Sequence, residues 1–267
     1  MHPQCRPRSL DGEHGIGMDG AKENGVSPHG ERYRWMFVFA IGGDLRFISH
    51  HDTLRLFRRA LARADLPVRF SEGFNPHPRI MIPLPRPVGI ASRAEALVVE
   101  TERLIDPQDA LQRLDRHTPE DIRMISVRRL RESERLVPEI VRYRLDLGGA
   151  PEPLSPSEGE GRVRGSEDGL PDAAAPTDLA ARTRSIIESE VVQVQRAIPK
   201  TGLTKTVDIR PFLAELGVDP RRAGINFTLR MIAGGSAKPA EIASLLGCDA
   251  GSINHRIERL EVEWRQT

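Results

Sequence analysis

Apolar and polar positions follow two recognisable periods along this chain. Residues 33–41, YRWMFVFAI, form an almost unbroken apolar run closed by the turn residues Gly42, Gly43 and Asp44, the pattern of a buried strand, with LRFI as a short extension. A helix follows: Ser49, with Asp52 three positions later, offers side-chain acceptors to the free amides of a first turn. Leu54, Phe57, Leu61 and Ala64 then recur at helical spacing, Arg55, Arg58, Arg59 and Arg63 fall on the other face, and Pro67 ends the pattern. Beyond it come a short strand at about Val68 to Phe70, the loop SEGFNPHPR, the extended piece IMIPL and the strand AEALVVET. A helix from about Pro107 to Asp115 and a strand from Ile122 to Arg128 complete a β-α-β-β-α-β order, which predicts a ferredoxin-like sheet with its helices on one face.

A second pass begins near Ile140. IVRYRLDL reads as a strand, LAARTRSIIES as a helix, and VVQVQRAI, KTVDI and INFTLRMIA as strands, so a second, similar half is expected. The C-terminal PAEIASLLGCDAGSINHRIERLEVEW has two amphipathic stretches around a turn at Gly247 to Gly251, which predicts a helical hairpin. Residues 1–31 are polar, glycine-rich and without periodicity, a disordered leader in which Met18 or Met36 would serve as an alternative start. A second aperiodic segment, dense in glycine, proline and acidic residues, is expected to be a mobile insertion at about 148–177. The expected fold is α+β: two ferredoxin-like halves at 32–132 and 133–237, with the helical hairpin at 238–267.

Composition narrows the classes. Hydrophobic residues make up 39% of the chain and charged ones 29%, enough for a packed core. The 39 basic and 38 acidic residues nearly cancel, so any nucleic-acid contact has to come from local clustering. Cys5 and Cys248 alone cannot build a disulfide framework, a multi-cysteine zinc site or an all-cysteine iron–sulfur cluster. With no apolar signal core and no run approaching the roughly 20 apolar residues of a membrane span, a cytoplasmic location is expected. A P-loop, a GxGxxG turn after a strand and a GxSxG elbow are all missing from the sequence.

Three ordered blocks stand out: RFISHHDTLRLFRRALARADLP at 46–67, SEGFNPHPRI at 71–80 and PLPRPVGIASRAE at 83–95. They resemble the radical-SAM-linked proteins of bacteria, a domain family of unknown function found beside, or fused to, radical-SAM proteins that often carry a cobalamin-binding domain. The resemblance is sharp over about 33–130 and looser over 139–260. It departs from the family pattern at His51, where leucine is usual, so His50 is the histidine that carries the motif. Carried over by position, the motif residues are Ser49, His50, Asp52, Arg55, Gly73, Phe74, Asn75, Pro76, His77 and Pro78. The resemblance implies an accessory or substrate-presenting protein of a radical-SAM system. The S-adenosylmethionine, the iron–sulfur cluster and any cobalamin would then reside on the partner, none being held by this chain.

The residues themselves leave several chemistries open. A helix start carrying His50 and Asp52 favours an anionic ligand, and a loop stiffened by Pro76 and Pro78 would present Asn75 and His77 from a rigid platform. Equally, Ser49 and Asp52 would only cap a helix, and the prolines only shape a turn around a Phe74 packed in the core. His50, Asp52 and His77 would suit acid–base or metal chemistry in an independent enzyme acting on a modified nucleoside or small cofactor, although no metal site is expected. Arg58, Arg59 and Arg63 are candidate RNA contacts, or else the solvated face of an amphipathic helix. Ala243, Gly247 and Ile253 are spaced as in a helix-turn-helix, which would offer Ser252, Asn254, His255 and Arg256 to DNA while Glu258, Glu261 and Glu263 repel phosphates.

Overall fold

The run at 33–41 forms β1 (Tyr33–Ile41), and its alternation decides which way the sheet faces. Trp35, Phe37, Phe39 and Ile41 point to one side, where they pack with Phe57, Ala60 and Leu61 of α1 (His50–Arg63), with Ala64 just after it, and with Ala110 and Leu114 of α2 (Pro107–Arg116). Burying each large apolar side chain in such a layer contributes about 1.5–3 kcal/mol. Met36 and Val38 point the other way, to a smaller cluster with Ala96, Val98 and Leu130. The computed structural model describes residues 32–148, 176–198, 202–219, 223–233, 235–248 and 253–266; the expected leader and nearly all of the expected insertion lie outside them.

After β1 the chain does not extend through LRFI as expected but coils into a 3-10 turn over Gly43–Phe47. Asp121 decides this, because its Oδ2 accepts from the amides of Asp44 at 3.0 Å and Leu45 at 3.4 Å, while Gly43 adopts a φ of +47° that a side chain would resist. Then follow α1, β2 (Ile80–Met81), β3 (Ala91–Thr101), α2 and β4 (Ile122–Leu130). Their sheet order is β4-β1-β3-β2, with every neighbouring pair antiparallel.

The second half contains β5 (Leu136–Asp146), α3 (Pro176–Glu188), β6 (Gln193–Ala197), β7 (Thr204–Asp208), β8 (Leu213–Asp219), β9 (Gly224–Arg230), α4 (Pro239–Leu245) and β10 (Ile257–Gln266). The β6-β7 pair forms its own two-stranded sheet. The other four strands take the antiparallel order β10-β5-β9-β8, so fourth, first, third and second strand lie side by side as they do in the first half. Val141, Tyr143 and Leu145 of β5 and Ile225, Phe227 and Leu229 of β9 alternate onto a core shared with Ile242 and Ala243 of α4. The β8 strand was not expected from the sequence.

The two sets of strands form one mixed eight-stranded sheet. Because β2 occupies only Val98 and Val99 of the outer edge of β3, the beginning of that edge is free for β10, which pairs parallel to it at Glu258↔Ala91 and Arg259↔Ser92. This corrects the expected C-terminal helical hairpin. Its first helix is α4, but residues 257–266 are a strand that lies between β3 and β5. Leu260, Val262 and Trp264 alternate with Glu261 and Glu263, a period of two that suits a strand with one face inward. The second helix of a helix-turn-helix is therefore not formed; of the residues proposed to read DNA, His255 and Arg256 lie in a 3-10 turn with Asn254, and Ser252 is outside the described residues.

Candidate functional site

The start of α1 has the expected cap. Ser49, in extended conformation, accepts from the amide of Asp52 at 3.1 Å, and its hydroxyl donates to Asp52 Oδ2 at 2.6 Å. Arg55 Nη1 lies 3.3 Å from Asp52 Oδ1. The Ser49 hydroxyl, and after it Arg55, hold the Asp52 carboxyl below its ordinary value although it sits at the surface. Both Asp52 oxygens are thus engaged by the helix's own side chains.

His50 turns inward from the same turn. It lines a cavity of about 10 Å3, the size of one water, together with Phe39, Ile41, Thr53, Ile82, Arg86 and Glu95. His51 stays exposed, with its ring centroid 5.8 Å from that of His50. Two of the three sequence blocks therefore converge here, His50 from the first and Arg86 and Glu95 from the third. Arg86 donates to the carbonyls of Arg46 at 2.6 Å and Ile90 at 2.5 Å, which fastens its proline-rich segment to the turn before α1. Sequence reasoning passed over Arg86 and Glu95; the only signal for them was their place in the third block.

The second block is elsewhere. Residues 70–78 form a narrow hairpin tip: Phe70 bridges Pro78, the Ser71 amide donates to the His77 carbonyl at 2.8 Å, and the His77 amide donates to Ser71 Oγ at 2.9 Å. Gly73 takes a φ of +117°, and Phe74 beside it is fully exposed, with Asn75, Pro76 and His77 also in solvent. A Phe74 buried in the core is thereby excluded. No hydrogen bond or ion pair among the described residues joins this tip to the start of α1, so the two motifs do not assemble into a single contact network.

Beside α1 opens a groove of about 650 Å3, lined by Leu45, Ile48, Asp52, Arg55, Leu56, Arg59, Ala60 and Arg63, and by Arg116, His117, Thr118 and Pro119 from the end of α2. Arg55, Arg59 and Arg63 face it and Arg58 does not, which divides the arginines that the sequence grouped together. Arg116 and His117 could not be found from sequence, because they meet α1 only through the packing of α2 against the same sheet.

Among the described residues, no three or more His, Cys, Asp or Glu side chains are grouped as a metal ion would need; His50 and Asp52 point apart and His77 belongs to the hairpin. Burial raises the Cys248 thiol above its ordinary value, which disfavours a nucleophilic thiolate. No helix among the described residues is long and apolar enough to cross a membrane.

Residues 32–239 match the model of a family described as "Uncharacterized protein conserved in bacteria (DUF2344)". The curated proteins contain no match to the chain.

Proposed function

Since the chain belongs to this bacterial family of uncharacterized proteins, we propose that it is an accessory or substrate-presenting protein of a radical-SAM system, acting in RNA modification in the cytoplasm. Phe74 carries the proposal. A fully exposed aromatic ring at a tip pinned by Ser71 and His77 gains about 1.5–3 kcal/mol when a partner buries it, and a stiff loop loses little freedom in docking. Aromatic anchors of this kind commonly dominate protein interfaces. Gly73, Asn75, Pro76, His77 and Pro78 would form the rim around it, and the radical-SAM partner would hold the S-adenosylmethionine, the iron–sulfur cluster and any cobalamin.

The repeated strand order supports reading both halves as ferredoxin-like, a platform that RNA-binding modules use. The alternative of an independent enzyme relying on His50, Asp52 and His77 has less support, because Asp52 is engaged by Ser49 and Arg55 and the two histidines lie on separate structures. A DNA-binding regulator would need the C-terminal recognition helix, which is the strand β10.

The tagged full chain, co-expressed with the radical-SAM protein encoded nearest to it, tests the proposal. Wild type is expected to retain that protein through purification, and a Phe74→Ala, His77→Ala variant to lose it. A wild type that purifies alone as a monomer, or a variant that keeps the partner equally well, would overturn it.

A further inference from the structure

We propose that the groove between α1 and the end of α2 binds the phosphodiester backbone of a single nucleic-acid strand; its biological context rests on the RNA reading above, while its chemistry rests on the groove alone. Several arginines of the second half and of the sheet are neutralised by acids: Arg144 and Arg93 share Glu258, Arg196 meets Glu241, Arg142 meets Glu261 and Glu263, and Arg265 meets Glu139. The groove is different. No ion pair among the described residues engages Arg59, Arg63 or Arg116, and the acid on its wall, Asp52, is already held by Ser49 and Arg55. A concave surface therefore keeps an excess of guanidinium groups in a chain whose total charge nearly cancels.

The spacing selects a linear polyanion. Arg55, Arg59 and Arg63 are four residues apart on α1, a rise of about 6 Å per step and about 12 Å over the row. Such a row meets successive phosphates better than one compact anion. Arg116 and His117 approach from α2 and close the second wall, so the charges converge from two elements and do not merely coat one helix. A volume of about 650 Å3 is that of a small-ligand cleft and has room for a short stretch of single strand. Planar guanidinium forks recognise phosphate oxygens in pairs, without regard to base.

Fluorescence anisotropy with the full chain and a labelled oligouridylate of about twelve nucleotides tests this. An Arg59→Ala, Arg63→Ala, Arg116→Ala variant is expected to bind roughly tenfold more weakly at low salt, and the slope of log K against log salt to become shallower by about 2. Arg58→Ala, on the same helix but outside the groove, is expected to bind as wild type does. The oligodeoxyuridylate arm tells the source of the strand: equal binding supports recognition of the backbone alone, and tighter binding of the RNA supports a ribose contact in the same groove. Wild type without measurable binding, an equal loss from Arg58→Ala, or displacement of the strand by tripolyphosphate at matched phosphate concentration would overturn the proposal. Partner retention depends on Phe74 and strand binding on the groove arginines, so each result can fail without the other.

Discussion

Arg259 of β10 places Nη1 2.7 Å from Oε1 of Glu95 in β3, and both side chains are almost wholly buried. The same guanidinium reaches the carbonyls of Leu84 and Pro85 and the hydroxyl of Tyr143, whose ring stacks on Phe227 of the second core. One residue thus ties together β3, the proline-rich segment and β5, where the backbone pairing of β3 with β10 is only two residues long. On the neighbouring position of β10, Glu258 is shared by Arg93 of β3 and Arg144 of β5.

Breaking a buried pair leaves an uncompensated charge, so Arg259→Met is expected to cost about 3–5 kcal/mol in chemical denaturation. Replacing both partners, Glu95→Leu with Arg259→Met, should recover part of that loss, the remainder reflecting Arg86, which also faces Glu95 and keeps its charge. If the double variant is as unstable as the sum of the single ones, the pair is not coupled as its geometry implies.

Ser49→Ala removes an N-cap and should cost about 1 kcal/mol at neutral pH. Asp52 has a folded-state pKa below its ordinary value, so its stabilising contribution is present above the usual carboxylate range and is lost as pH falls through the depressed value. The gap in stability between wild type and Ser49→Ala should therefore narrow below about pH 4, and the Asp52 carboxyl, followed by NMR titration, should move up toward its ordinary value in the variant.

Phe74→Ala deletes a side chain that buries nothing within this chain, so the thermal midpoint and denaturant midpoint should match wild type to within about 0.5 kcal/mol. A marked destabilisation would mean that Phe74 packs inside the protein, and that its exposure has no bearing on docking.

Val262→Pro probes the strand assignment of the C-terminus. Val262 pairs with Val141 of β5, so a proline there disturbs a paired strand, and a loss of about 1–3 kcal/mol is expected by denaturation. Near-neutral behaviour would contradict the pairing of β10 with β5.

How far the sequence alone reaches depends on the range over which each feature is decided. The bounds of β1, the cap and two faces of α1, and the position of α2 were all legible, because apolar periodicity and capping act within one or two turns of chain. The three conspicuous blocks were legible too, as was the turn at residues 71–78, which Ser71 and His77 close. β8 was not legible, since FLAELGV has apolar residues at helical as well as strand spacing, and its pairing with β9 decides between them. The last ten residues of the sheet were misjudged for a related reason: a charged, alternating segment suits an amphipathic helix until Arg142 and Arg144 across the ladder pair with its glutamates.

Local composition thus determined most of the strands and helices, though not β8, β10 or the turn after β1, and it marked which residues are chemically unusual. Tertiary structure alone decided their company: His50 beside Arg86 and Glu95 and not beside His77, Phe74 in solvent and not in the core, and Arg116 across the groove from Arg59. Those pairings join residues far apart in the chain, and they arise when the helices dock on a sheet whose strand order no local pattern encodes.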